Sequence, residues 1–176
     1  MTRLTLPLIC ECLLLFLVPL NIYVIGDNLA QGVQWALFRY QQSYLGNSLI
    51  LIHKDYLYVA DGILRGSSAS STLLWIAGAV LLVAAVIMLA IATARCLPCL
   101  VRPAGVLTVA TGALFFVAML VEFGPFLANS HGSSVPIGVP VIIVTGIWLV
   151  AGKFEAGESN TAERGEGEEI RGEAEE

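Results

Sequence analysis

Charge is scarce in this chain. Only 13% of its 176 residues are Asp, Glu, Lys or Arg, against 57% hydrophobic, and the mean hydropathy of +0.80 points to lipid rather than water as the solvent. Residues 153–176 hold nine Glu against Lys153, Arg164 and Arg171, so the net acidity belongs to the tail and the body before it is near neutral. Without a basic stripe there is nothing to grip a phosphate backbone, and nucleic acid is not an expected partner. The chain also lacks a P-loop, a GxSxG elbow, an HExxH pair and a DxDxDG loop. Both histidines, His53 and His131, lie outside the apolar runs where a haem ligand would sit. No cofactor is expected.

What the chain has in abundance is long apolar sequence. Four runs, 4–25, 72–94, 104–121 and 135–151, contain almost no charge. A helix rises about 1.5 Å per residue and the hydrocarbon layer is about 30 Å thick, so each is read as a crossing, the last two only just long enough. Backbone polar groups in lipid must be satisfied within the segment, which makes such spans helical. The expected fold is therefore all-α, an integral membrane four-helix bundle. Arg3 ahead of the first run has the outline of a secretion signal, but no small-residue cleavage site follows, so the run reads as a retained helix. The tail from Lys153, rich in Glu and Gly, reads as disordered and cytoplasmic.

Orientation follows Lys and Arg in the short loops. With both termini inside, Arg3, Arg95, Arg102, Lys153, Arg164 and Arg171 are cytoplasmic, and Arg39, Lys54 and Arg65 are outside. The protein is thus expected in the cell membrane with segment 27–65 on the outer side. There Leu29, Val33, Ala36, Leu37, Tyr40 and Tyr44 recur at helical spacing, and Leu49, Ile52, Tyr56, Ala60 and Ile63 resume the stripe. The segment reads as an amphipathic helical cap, with Asp27 or Asn28 at its start and Gly46-Asn47 as a break. A hairpin turning at His53-Lys54-Asp55 is the alternative for 47–65, since its flanks are rich in strand formers. Trp35, Phe38, Tyr40, Tyr44, Tyr56 and Tyr58 suit a headgroup zone that is wet at one end and apolar at the other.

Lipid gives helices no hydrophobic reason to associate, so close approach depends on small residues. Gly78, Ala85 and Ala92 recur every seven positions, Ala104, Thr108 and Gly112 every four, and Gly138 and Gly146 share a stripe. These are the expected packing positions.

Five residues are candidates for chemistry. Cys10, Cys12, Cys96 and Cys99 all map to the inner side. CxxC is half a zinc site, but residues two apart on a helix point about 200° away from each other, so Cys10 and Cys12 do not complete it and no metal is expected. A dithiol centre at Cys96-Cys99 would make the protein a thiol-disulfide oxidoreductase, with Arg95 and Arg102 favouring thiolate. Glu11, an acidic residue well inside a crossing, is either in an ion pair with Arg95, Arg102 or Lys153 or the coupling carboxylate of a small proton-linked transporter. Glu122 ends its run at the outer interface, where water would solvate it. The favoured reading is neither: an accessory or structural subunit of a membrane complex, meeting a protein partner or its own copies through helix faces or segment 27–65.

Overall fold

The computed structural model describes residues 5–26, 29–129 and 132–152. The readings for Arg3, Asp27, Asn28, His131 and the acidic tail lie outside them. The chain runs α1 (Thr5–Phe16), β1 (Asn21–Ile25), β2 (Ala30–Gln34), β3 (Phe38–Ser43), β4 (Gly46–Leu51), α2 (Ile52–Ala60), α3 (Ser67–Ala94), a 3-10 turn at Pro98–Leu100, α4 (Val101–Phe123), β5 (Ala128–Asn129), β6 (Gly132–Pro136) and α5 (Gly138–Ala151). The strands form one antiparallel sheet in the order β4-β3-β2-β1-β6-β5. The protein is not an all-α four-helix bundle.

The expected crossings fail at both ends of the chain for the same reason. Run 4–25 divides: helix stops at Phe16, Pro19 blocks its continuation, and Asn21–Ile25 becomes a strand rich in β-branched side chains. Run 135–151 begins inside β6 and turns helical only at Gly138. What remains, helices of 12 and 14 residues, extends about 18 and 21 Å. Two helices, Ser67–Ala94 and Pro98–Phe123, are long and apolar enough to cross a membrane.

Segment 27–65 is also corrected. It supplies three strands and one short helix instead of an amphipathic helical cap. A hairpin is present, but it turns at Tyr44-Leu45, where Gly46 takes φ +123, a conformation that side chains rarely adopt. His53, Lys54 and Asp55 lie within α2.

The sheet is polar on the side that faces the helices. Asn21, Tyr23, Gly32, Gln34, Arg39 and Ser134 are buried or half-buried on its inner side, while Leu49, Tyr40, Val33, Ile22 and Val135 follow one another across five strands on the outer side. Gly32 is required within this inner face, because the Tyr23 ring lies across it and a Cβ would fall 2.6 Å from the phenol oxygen.

Leu20, 1% exposed, joins the parts. Its N–H donates to Gln34 O at 2.6 Å, and its carbonyl accepts from Ile137 and Gly138 N–H at 3.0 Å each, satisfying donors at the start of α5. On the helices, Gly78 faces the Phe115 ring, with Ala85 and Ala92 buried on the same side of α3. Between α4 and α5, Gly112 faces Ile143, Gly146 faces Val109, and Gly105 faces Leu149 and the Gly146 carbonyl. Gly138 meets the Pro19 carbonyl.

Gly105→Ala is expected to destabilise by about 1–3 kcal/mol, since a new Cβ would stand 2.7 Å from Leu149 Cβ and 2.9 Å from Gly146 O, and neither can swing aside. Thermal unfolding in detergent checks this.

Candidate functional site

Hydrogen-bonding groups concentrate where the inner sheet face meets the adjoining ends of α3 and α4. Arg39, from β3, donates through Nη2 to Asp55 Oδ1 of α2 at 2.5 Å. Asp55 is 1% exposed, and neither its Oδ2 nor Arg39 Nε meets a partner among the described residues. The Tyr23 hydroxyl is likewise buried, beside Arg39 and within the fields of Asp55 and Glu122. Glu122, in the last turn of α4, accepts from Ser71 Oγ of α3 at 2.9 Å. It is half-buried and hydrogen-bonded, which corrects its reading as a water-solvated end.

Two small cavities adjoin at this junction. One, about 20 Å³, is bordered by Asn21, Gln34, Ser71, Trp75 and Glu122. The other, about 10 Å³, is bordered by Tyr23, Gln34, Arg39 and Glu122. Asn21 Oδ1 is buried and without a donor among the described residues. The indole of Trp75 donates to Trp35 O at 3.2 Å, and that of Trp35 to Leu17 O at 3.3 Å, tying the β2–β3 turn to α3 and α1.

Electrostatics at the pocket follows from burial. Loss of water pushes the Asp55 carboxyl above its ordinary value, and the Arg39 guanidinium draws it only part of the way back. Tyr23 is pushed up chiefly by burial too, with Arg39 opposing and the two carboxylates adding. Because Asp55 holds its proton more tightly folded than unfolded, it favours the fold in acid and loses that contribution as pH rises through its folded-state value.

The residues singled out from the sequence lie elsewhere. Glu11 is fully buried, and Thr108 Oγ donates to its Oε1 at 2.7 Å while also lying 3.0 Å from Ala104 O. No ion pair joins Glu11 to Arg95 or Arg102, and Lys153 lies outside the described residues. All four cysteines are free thiols, Cys10 and Cys12 half-buried on α1, Cys96 and Cys99 exposed at the end of α3 away from the sheet. Among the described residues no three His, Cys, Asp or Glu come together as a metal-ligating set. Cys96 has φ +52, and Leu97 N–H donates to Ala92 O at 2.9 Å, the closing bond of a Schellman turn in the position glycine usually takes.

Tyr23, Arg39, Asp55 and Asn21 were not singled out as site residues. One signal was available: Arg39 and Asp55 are opposite charges in a charge-poor chain, 16 residues apart. Read on a helix they do not meet; β3, β4 and α2 bring them together.

Asp55→Ala strands a half-buried guanidinium and is expected to cost about 3 kcal/mol, with the double replacement Arg39→Met/Asp55→Leu recovering most of it. Unfolding of the single and double variants measures the coupling. Cys96→Gly relieves a left-handed conformation and is expected to stabilise by about 1 kcal/mol, read as a higher unfolding midpoint. No protein-family model matches this chain, and no curated protein is significantly similar to it.

Proposed function

We propose that this protein is an accessory subunit of a membrane complex, and that its sheet receives an extended segment of a partner chain along β4. In this reading Ser67–Ala94 and Pro98–Phe123 cross the cell membrane, the sheet is extracytoplasmic, and the turn bearing Arg95 and Arg102 is cytoplasmic, in keeping with the bias of basic residues.

The observation that carries the reading is the open edge at β4. Gly46–Leu51 is the terminal strand of a six-stranded sheet, and its residues are exposed or half-exposed. Edge strands are normally guarded by a charge, a proline or a bulge that turns them away. The sequence GNSLIL has neither a charge nor a proline. Its Leu49, 55% exposed, also begins the apolar row that continues through Tyr40, Val33 and Ile22 to Val135. An added strand would pair its backbone with β4 and extend that row, the usual physics of strand addition.

A photo-crosslinker at Leu49 in native membranes is expected to yield one adduct of fixed mass with a protein that co-purifies, whereas the same probe at exposed Val80 on α3 does not. Leu49→Lys places the missing guard and is expected to abolish the adduct from a probe at Asn47, while unfolding shifts by less than about 0.5 kcal/mol. No adduct at Leu49, or an adduct with a second copy of this chain, overturns the proposal.

A further inference from the structure

The cavity at the sheet–helix junction brings four hard-oxygen side chains, Asn21, Gln34, Ser71 and Glu122, together among the apolar Trp75, Phe115, Met119 and Phe123. Its volume of about 20 Å³ accommodates about one water-sized particle. Asn21 is 2% exposed and its Oδ1 is buried without a hydrogen-bond donor among the described residues. A buried carbonyl oxygen in that state needs either a donor or a positive charge.

Ser71 adds an independent constraint. Its hydroxyl has one hydrogen but two acceptors, Ala118 O and Glu122 Oε2, each at 2.9 Å. When the hydrogen goes to Ala118, the Ser71 and Glu122 oxygens face each other through lone pairs, and a cation between them turns that repulsion into coordination.

Charge selects the class of ion. Arg39 and Asp55 form an ion pair, and Glu122, within the fields of both, has no ion-pair partner of its own among the described residues, so its ionised form adds one uncompensated negative charge. A monovalent cation brings the junction to neutrality, whereas a divalent one would leave a surplus positive charge in a weakly screened site. The donors are a carboxylate, a hydroxyl and carboxamide carbonyls, all hard oxygens. We propose that this cavity binds a single hard monovalent cation of the sodium class, held by Glu122, Asn21, Ser71 and Gln34 and locking the sheet onto α3 and α4.

The test uses the purified 176-residue chain in detergent, with sodium chloride varied against choline chloride at constant ionic strength. The unfolding midpoint is expected to rise by about 5–10 °C at roughly 100 times the dissociation constant and then to saturate, and to stay flat in choline. Glu122→Gln keeps an acceptor for Ser71 but removes the charge, so its midpoint in choline should equal or exceed that of the unsubstituted protein, with the sodium response gone. If that variant does not fold, Asn21→Ala serves, and its midpoint should respond only at sodium concentrations at least about tenfold higher, the loss of one ligand. A midpoint indifferent to sodium overturns the proposal, as does one that follows pH alone or a sodium response that survives Glu122→Gln.

Discussion

Strand β1 is the constraint on which the rest of the structure depends. It is paired on both sides, with β2 close by in sequence and with β6 more than a hundred residues away. A strand inside a sheet has every backbone donor and acceptor committed, and this one takes its second partner from the far end of the chain. The consequences reach the helices through Leu20, whose backbone bonds to β2 on one side and to the start of α5 on the other. In this way α1, α5 and the sheet share one joint.

That joint accounts for the reversed polarity of the sheet. A sheet usually turns its apolar face to the core and its polar face to water. Here the inner face carries Asn21, Tyr23, Gln34, Arg39 and Ser134, and the apolar row points outward. The inner side chains meet the helix-end groups Ser71 and Glu122 at the margin of the apolar core formed by Trp75, Phe115 and Met119. Buried polar atoms are costly unless satisfied, so the Arg39–Asp55 pair and the cavities beside it follow from placing polar strands over helix ends. The same reversal leaves Leu49, Tyr40, Ile22 and Val135 exposed on the outside.

At the end of the helices away from the sheet, the local form follows from backbone geometry and one hydrogen bond. Cys96 closes a helix in a left-handed turn, and Cys99 lies in the short 3-10 turn that begins at Pro98 and leads into α4. Glu11 is held by a threonine hydroxyl from α4, so the contact that anchors α1 at this level is a hydrogen bond and not an ion pair.

Local composition by itself determined the two central apolar helices, because runs 72–94 and 104–121 have neither charge nor proline inside them and a helix satisfies its own backbone. It also marked the glycines, though not which neighbour each would meet. Period misled it at the edges. Leu29, Val33, Leu37 and Tyr40 are spaced like one helix face, yet in the fold they are distributed between two separate connections and two strands whose alternation was masked by polar side chains on the buried side. The sheet, the reversed face and the polar junction were decided only by tertiary structure, because each requires β1 to find β6, and no window of sequence contains both strands of a pair so far apart along the chain.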